Sequence, residues 1–274
     1  MAGVKQEPAA PVVASLDGVV ATITINRARV RNALDIHAWR ELRACLDQVA
    51  ADFPAVRVVV LRGAGGKAFV AGADLRELAE IAANPDRHHD YVELIESVMT
   101  RLETLPQPVI AAIEGPAVGA GLELMAACDL RVARAGSRMG IPAAKLGLAI
   151  TGQDLHRLER LVGIGRVKWL LLTGKLVTAE KATSWGLVDA VYPESDFETE
   201  LMALAAEIGS NSSLTHELTK RALATYTNPV EQGAEAGFAC SLPAWSSPSL
   251  AEGLAAFTEG RPPDFLSVES RAHP

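Results

Sequence analysis

The sequence predicts an α/β fold with mostly parallel strands, followed by a helical C-terminal region. Three patterns lead to this prediction. Val19–Ile25 alternates apolar and polar residues, which is typical of a half-buried strand. Asp35–Ala51 carries its apolar residues at helical spacing. Strand and helix patterns then alternate up to about Val191, and only helical patterns follow.

The elements of the core succeed one another in strand and helix order. Val56–Leu61 is a continuous apolar run before the glycine-rich turn 63–66, and it is predicted to be a buried strand. A helical apolar face follows, and prolines at 106 and 108 end it; its members are Tyr91, Ile95, Val98, Leu102 and Leu105. The other predicted elements of the core are the strand Val109–Ile113, the helix Gly119–Ala127 and the strand Leu130–Ala133.

The C-terminal part consists of helical patterns without a strand between them. The predicted helices are Phe197–Gly209, Ser213–Ala224, Val230–Leu242 and Ser249–Thr258. A helical region behind an α/β core suggests a subdomain that packs against another subunit. We therefore divide the chain into a flexible tail (1–11), a core (12–195), a helical oligomerisation region (196–266) and a second flexible tail (267–274).

Composition and charge exclude several classes of function. The 274 residues are 49% hydrophobic and 22% charged, as in ordinary globular proteins, and they carry a net charge of −7. No basic stripe is present, so no nucleic-acid partner is expected. The most apolar region, Val109–Cys128, is interrupted by Glu114 and Glu123 and does not predict a membrane span. The N-terminus lacks the pattern of a secretory signal.

The cysteines predict free thiols rather than disulfides or metal ligands. Cys45, Cys128 and Cys240 lie far apart, and none has a cysteine or histidine neighbour at the spacing of zinc ligands. Free thiols are expected in a reducing compartment, so we predict a cytoplasmic protein without a metal site.

Two short stretches, Lys67–Leu75 and Glu114–Glu123, are the most informative part of the sequence. Each places small residues where a loop is predicted to enter a helix. The start of a helix leaves backbone N–H groups unpaired, and small side chains keep them accessible. Two such junctions that face each other could hold one oxygen atom as it acquires negative charge. Glu123, about one helical turn into the second, adds a carboxyl group.

Each of these features also has a purely structural interpretation. Gly72, Ala73 and Asp74 could form a tight turn in which Asp74 begins a helix. Gly119 and Gly121 could serve close packing of a helix against a strand. A lone carboxylate such as Glu123 could face solvent, whereas burial beside a ligand would favour its neutral form and raise its basicity.

Other catalytic motifs are missing from the sequence. There is no Gly-x-Ser-x-Gly for a nucleophilic serine and no phosphate-binding Gly-x-x-x-x-Gly-Lys-Ser/Thr. The glycines near position 120 do not form a dinucleotide fingerprint, because Leu124 occupies the third glycine position.

Six ordered stretches between about Val13 and Phe265 form one recognisable pattern. They are Asn26–Leu34, Lys67–Leu75, Pro108–Asp129, Met139–Leu148, Leu172–Val191 and Glu252–Phe265. In these stretches the chain resembles the crotonase superfamily, also called the enoyl-CoA hydratase/isomerase family. The resemblance implies a spiral of ββα turns followed by a helical trimerisation region, with trimers that often pair into hexamers. It also implies an acyl-CoA thioester as the substrate, with coenzyme A as part of that substrate and no further cofactor.

The resemblance also assigns catalytic roles. The backbone amides of Ala73 and Ala120 would form the oxyanion hole, and Glu123 falls on one of the two catalytic glutamates of true hydratases. The other glutamate falls on Ala143, whose methyl group can neither activate water nor deliver a proton. Side chains just downstream could approach the same space, namely Thr151, Gln153, Asp154 and His156.

Further positions are expected to contact the acyl-CoA. Gly260 stands where the family often has a lysine that reaches a CoA phosphate from the neighbouring subunit, while the adjacent Phe257 is retained. Arg27, Arg29 and Arg31 could meet the phosphates instead, or form a solvated basic loop. The stretch Ala82–His89 is expected in the wall of the acyl pocket. The remaining expected contacts are Ala71, Gly72, Asp74, Leu75, Pro116, Gly119 and Pro142.

Three functions therefore follow from the sequence. The first is a hydratase-type lyase on a 2-enoyl-CoA, with Glu123 as the acid/base. The second is an isomerase, decarboxylase or thioester hydrolase that uses the same enolate chemistry. The third is an acyl-CoA-binding protein without turnover, which Ala143 favours and Glu123 opposes.

Overall fold

The strands of the protein lie in two sheets that are linked by short crossings of the chain. The computed structural model describes residues 10–211, 213–227, 248–261 and 263. Most of both predicted tails and the predicted helix Val230–Leu242 lie outside these residues. The strands are β1 (Val12–Asp17), β2 (Val20–Ile25), β3 (Val58–Gly63), β4 (Val109–Ile113), β5 (Ala117–Val118), β6 (Leu130–Arg134), β7 (Arg138–Gly140), β8 (Val177–Thr178) and β9 (Ala190–Tyr192).

The larger sheet has the strand order β1-β2-β3-β4-β6-β9. Only β1 and β2 pair antiparallel, as a hairpin, and every other neighbouring pair is parallel. The smaller sheet has the order β5-β7-β8, with β5 parallel to β7. These pairings confirm the predicted α/β fold with mostly parallel strands.

The helices follow the strands in a repeating ββα order. They are α1 (Ile36–Ala51), α2 (Leu75–Ala82), α3 (His88–Thr104), α4 (Ala120–Ala126), α5 (Gly152–Thr173), α6 (Ala179–Trp185), α7 (Phe197–Ser210), α8 (Ser213–Thr227) and α9 (Pro248–Glu259). In two successive turns the chain passes from the larger sheet to the smaller and then into a helix: β4-β5-α4 and β6-β7-α5. This repeat is the spiral expected from the sequence.

Both faces of the larger sheet are covered, because the residues of its central strands alternate between two cores. Val59 and Leu61 belong to the large core that also contains α1. Val58 and Val60 face the opposite way and pack with Phe197 of α7. Burial on both faces explains why β3 and β4 read as continuous apolar runs rather than as alternating patterns.

The structure corrects several predicted boundaries by a few residues. Strand β3 begins at Val58 instead of Val56, because the amide of Val56 donates to the carbonyl of Asp52 and closes a turn after α1. Asp35 does not belong to α1 but caps it, since its carboxylate accepts a hydrogen bond of 2.8 Å from the amide of Ala38. The glycine-rich turn is a short 3₁₀ helix at 64–66.

The predicted C-terminal helices are confirmed for the described residues. The ammonium group of Lys220 on α8 bonds to the carbonyl oxygens of Leu102 and Gln107 and pairs with Asp129 of the core. Helix α9 approaches the core so closely that a β-carbon on Gly253 would lie 2.4 Å from the carbonyl oxygen of Leu146. None of the helices in the described ranges has both the length and the apolar composition needed to span a bilayer.

The two cysteines within the described ranges are free thiols, as predicted. Cys128 is buried, and burial raises the pKa of its thiol to about 12. Cys45 is half-buried, and burial together with the charge of Glu41 raises its pKa. Raised thiol pKa values disfavour the reactive thiolate. Cys240 lies outside the described residues.

Candidate active site

The first of the two loop–helix junctions is fixed by hydrogen bonds to Leu34. The amide of Leu34 donates to the carbonyl of Gly72 at 2.9 Å, and the amide of Asp74 donates to the carbonyl of Leu34 at 2.8 Å. These two bonds form a parallel bridge between Leu34 and Ala73. In such a bridge the N–H and C=O of Ala73 itself point away from Leu34. Among the described residues, none accepts a hydrogen bond from the Ala73 amide.

The second junction lies at the end of the smaller sheet. The amide of Gly119 donates to the carbonyl of Gly140 at 2.9 Å, in continuation of the pairing between β5 and β7. Gly119 has φ 54° and ψ −120°, a backbone conformation that only glycine adopts readily. Its carbonyl accepts from the amides of Leu122 and Glu123, so α4 begins at Ala120. Within the described chain, the Ala120 amide has no acceptor.

The two junctions adjoin each other. A β-carbon on Gly119 would lie 4.0 Å from the Cα atom of Gly72, and one on Gly72 would lie 3.2 Å from the carbonyl oxygen of Val118. A β-carbon on Gly121 would lie 2.2 Å from the carbonyl oxygen of Val70. The packing interpretation therefore holds for Gly121, whereas Gly119 is required by its backbone angles. Unpaired amides thus occur on two neighbouring segments.

Glu123 lies in the first turn of α4, three residues after Ala120. The residue is only partly buried, yet protein atoms surround its carboxyl group closely enough to remove much of its hydration. This desolvation, together with the negative charges of Asp154 and Glu96, raises the pKa of Glu123 well above its usual range, although Arg157 opposes the shift. No described residue donates a hydrogen bond to the carboxyl group.

The carboxyl groups that act on Glu123 come from two other helices. Asp154 near the start of α5 is buried, and Glu96 lies on α3. Both carboxyl groups accept hydrogen bonds of 3.0 Å from Nη1 of the buried Arg157. Of the four candidates named downstream of Ala143, Thr151 and Asp154 belong to this group. His156 is exposed, and the side-chain oxygen of Gln153 is buried with no hydrogen-bond partner in the described chain.

Three charged residues of this cluster were not predicted from the sequence: Glu96, Glu103 and Arg157. A signal was present: Glu96 and Glu103 are seven residues apart on one face of α3, and Thr151, Asp154 and Arg157 follow one another at intervals of three. Only the packing of α3 against α5 turns these two patterns into one buried cluster. Among the described residues, no set of three or more His, Cys, Asp or Glu side chains is arranged to hold a metal ion.

Ala143, which the resemblance aligns with the second glutamate, begins a 3₁₀ turn that ends at Lys145. Its side chain is half-buried against the large core, and Pro142 precedes it. The same loop continues to Leu146, where α9 packs. On α9, Phe257 is 62% exposed, and Gly260 follows the end of the helix with open space around its Cα.

The arginines expected near the CoA phosphates occupy different environments. The guanidinium of Arg27 is used within the protein: it donates to the carbonyl of Ala33 and pairs with Asp35 and, at 3.5 Å, with Asp74. Arg29 and Arg31 are exposed. Asp74 also accepts from the amide of Arg76 and caps α2, so the structural interpretation of Asp74 holds.

Three of the other expected contact positions, Ala71, Leu75 and Pro116, belong to the segments that form the two junctions. The amide of Ala71 donates to the carbonyl of Arg31, and the carbonyl of Pro116 accepts from the amide of Phe69. Leu75 is the first residue of α2. The stretch 82–89 comprises the end of α2, a 3₁₀ turn and the start of α3, and the ring of His88 is buried with Nε2 2.9 Å from the carbonyl oxygen of Ile81.

The two sheets, the ββα turns and the paired loop–helix junctions define a protein of the crotonase fold. The family model for enoyl-CoA hydratase/isomerase matches residues 16–268, which is nearly the whole chain. The chain belongs to this family of enzymes.

Relatives with names and solved structures support the same assignment. A putative enoyl-CoA hydratase/isomerase, YngF, of Bacillus subtilis is 37% identical over 88% of this chain and 92% of its own. A short-chain-enoyl-CoA hydratase of Clostridium acetobutylicum is 37% identical over 77% and 80% of the two chains. A methylmalonyl-CoA decarboxylase solved in complex with 2-nitronate-propionyl-CoA has a TM-score of 0.83 at 26% identity, over 93% of this chain and 97% of that chain.

Proposed function

We propose that the protein is a hydratase-like lyase that adds water across the double bond of a 2-enoyl-CoA thioester. The observation that carries this proposal is the pair of adjoining junctions with unpaired amides at Ala73 and Ala120, together with the carboxyl group of Glu123 one helical turn further. The family assignment and the hydratase names of two relatives agree with it.

The two amides would donate to the thioester oxygen and stabilise it as the acyl group becomes enolate-like. Donors already in place when charge develops lower the barrier of such reactions, and loss of one typically reduces kcat by about 10²–10³. Glu123 would exchange protons with water and with the α-carbon. One acid/base group of this kind contributes about 10²–10⁴-fold to the rate.

The acyl-CoA would lie along the junctions, with its phosphates toward the exposed part of the basic loop. We infer that Arg29 is a better phosphate ligand than Arg27, because Asp35 and Asp74 already pair with Arg27. The remaining contacts that we propose are Ala71, Gly72, Asp74, Leu75, Pro116, Gly119, Pro142 and Phe257.

A decarboxylase is the second candidate, and one observation favours it. The site has alanine at position 143, while a methylmalonyl-CoA decarboxylase aligns with this chain at a TM-score of 0.83. In a decarboxylation, the two amides would stabilise the enolate that loss of CO₂ leaves behind, and no second carboxyl group would be needed to activate water.

The decisive experiment measures hydration of crotonyl-CoA by the wild type and by Glu123→Gln. We expect kcat to fall about 10²–10⁴-fold in the variant, because the amide cannot exchange protons. The matched control is Glu93→Gln, an exposed position on α3 that should leave the rate unchanged. Full hydration activity in Glu123→Gln would contradict the proposed role of this residue.

Product analysis separates the alternatives. Wild-type protein is incubated with 3-enoyl and malonyl-type thioesters of CoA. A shifted double bond would assign an isomerase, released CO₂ a decarboxylase, and free CoA a thioester hydrolase. Binding of several acyl-CoAs without any turnover would assign an acyl-CoA-binding protein.

We further propose a homotrimer or homohexamer in the cytoplasm. Several apolar side chains of the described C-terminal half are exposed in the single chain, which supports an interface there: Ile164, Trp169 and Leu172 on α5 and Phe257 on α9. The free thiols of Cys45 and Cys128 support a reducing compartment. Sedimentation analysis of the purified protein tests the oligomeric state.

A further inference from the structure

Three carboxyl groups gather around the guanidinium group of Arg157. Arg157 is 5% exposed and donates from Nη1 to Glu96 and Asp154, both at 3.0 Å, and from Nη2 to Glu103 at 3.1 Å. Arg160 approaches Glu103 only to 3.9 Å and is more exposed. Burial alone would lower the pKa of Arg157, but the carboxylates Glu103, Asp154 and Glu96 raise it. The cluster therefore combines three carboxyl groups with one guanidinium group in a region that is poorly solvated.

The hydroxyl group of Thr151 lies between two carboxyl groups of this cluster. Its oxygen is 2.7 Å from Oε1 of Glu96 and 2.8 Å from Oδ2 of Asp154, and it also accepts from the amide of Asp154 at 3.1 Å. A hydroxyl group has a single proton to donate. Once it donates to one of the two carboxyl oxygens, the second short contact is a full hydrogen bond only if the other oxygen carries a proton and donates to the hydroxyl.

The groups that face Glu123 come from several helices. Asp154 and Arg157 come from α5, Glu96 comes from α3, and the buried Tyr91 of α3 also interacts with Glu123. Asp74 and Glu77 at the start of α2 add negative charge near Tyr91. Desolvation and neighbouring charge raise the pKa of Glu96 and of Asp154 as well, against the opposing effect of Arg157 and Thr151.

We propose that Glu96 and Asp154 share one proton through the Thr151 hydroxyl, and that the negative charge left on this pair holds Glu123 as a neutral carboxylic acid. Glu96 and Asp154 are then positioning residues, since they act through Glu123 and not on the substrate. The catalytic consequence, described next, rests on the proposed function, whereas the protonation states do not.

A neutral carboxylic acid has one oxygen that donates and one that accepts, so it can serve at both ends of a water addition. The protonated oxygen of Glu123 gives its hydrogen to the α-carbon. Its other oxygen takes a hydrogen from the water molecule whose oxygen bonds to the β-carbon. The C=C bond becomes a single bond and the carboxylic acid is regenerated. Glu123 thereby performs both proton transfers, which two carboxyl groups would share if position 143 were a glutamate.

The test uses Glu96→Gln, Asp154→Asn and the double variant, with Glu93→Gln as the control on the exposed face of α3. Each single amide mimics a protonated carboxyl group and can satisfy both Thr151 and Arg157. Infrared spectroscopy at neutral pH detects protonated carboxyl groups by their C=O stretching band, and Glu123→Gln identifies the band of Glu123. The pH is then raised until that band disappears.

We expect each single variant to show one protonated carboxyl group fewer than the wild type, whether Glu96 or Asp154 is replaced. The titration midpoint of Glu123 should not change in either single variant. The double variant should lower that midpoint by about 1–3 pH units, because the pair no longer carries charge. Glu93→Gln should change nothing. If neither single variant loses a protonated carboxyl group, the shared proton is disproved; if the double variant leaves the midpoint unchanged, the effect on Glu123 is disproved.

Folding and activity are assessed separately. Should the double variant unfold, Glu96→Ala with Asp154→Asn removes both charges while leaving room for water, and the single variants still test the shared proton. In active protein the alkaline limb of kcat should shift with the infrared midpoint, which a purely structural pair would not cause. The expected infrared result without any turnover would reject the proposed function and leave the proton assignment standing.

Discussion

On one side of the candidate active site the proposed chemistry depends on main-chain amides, and on the other side it depends on carboxyl groups. The amides of Ala73 and Ala120 are presented by local backbone geometry, namely the bridge to Leu34 and the conformation of Gly119. The carboxyl groups of Glu96, Glu123 and Asp154 come from three helices, and their protonation depends on one another. We therefore expect the amide side to depend on backbone conformation, with Gly119 as the residue that cannot change, and the carboxyl side to depend on the balance of charge.

Replacement of the cation on the carboxyl side should have the largest effect. Arg157→Leu leaves Glu96, Glu103 and Asp154 without their shared partner in a buried place. Removal of one member of a buried ion pair costs about 3–5 kcal/mol of unfolding free energy. Urea denaturation at pH 7 measures this loss.

The pH dependence of Arg157→Leu follows from the same charges. Without the cation, the folded-state pKa values of Glu96 and Asp154 rise further above their unfolded values near 4. The folded state then binds protons more tightly than the unfolded state, so stability should increase as the pH falls from 7 toward 5. Arg160→Leu is the matched control, since its contact with Glu103 is long and exposed. Equal losses in both variants would refute the central role of Arg157.

On the amide side, Ala120→Pro removes one N–H group and places a ring CH₂ group where the amide hydrogen was. Ala120 is the first residue of α4, where proline is well tolerated because the amide has no partner within the helix. We expect kcat for the acyl-CoA reaction to fall about 10²–10³-fold, with a nearly unchanged urea midpoint. Ala120→Gly keeps the amide and removes the methyl group, so it shows the effect of the side chain alone. An active proline variant would show that this amide does not hold the thioester oxygen.

The contrast between local backbone geometry and contacts between distant helices also explains which parts of the molecule were predictable from sequence. Strand β3 was predictable because burial on both faces produces a continuous apolar run, although its start was placed two residues early. The strands β5, β7 and β8 have only two or three residues, too few to show a period. They are held by their partners in the smaller sheet rather than by a pattern of their own.

The residues of the candidate active site likewise divide into those that have a local sequence signal and those that do not. Small residues before a helix are a local signal, so the two junctions and Glu123 could be selected from the sequence, whereas the donor positions Ala73 and Ala120 came from the resemblance to the family. Charged residues on a helix normally indicate a solvated face, and this is how Glu96 and Arg157 read along the chain. They are buried only because α3 packs against α5, and no local pattern contains that contact.

The smallest expected effect concerns the basic loop, where the two arginines allow a direct comparison. Arg29 is exposed, and its attraction for a phosphate would be weakened by solvent and salt, so Arg29→Ala should raise KM for the acyl-CoA about two- to five-fold at low salt. The increase should vanish at high ionic strength, while kcat stays constant. Arg27→Ala should instead lower the urea midpoint, because Asp35 and Asp74 lose their cation near the start of α1 and α2. A larger, salt-sensitive rise in KM for Arg27→Ala, with unchanged stability, would transfer the phosphate contact to Arg27.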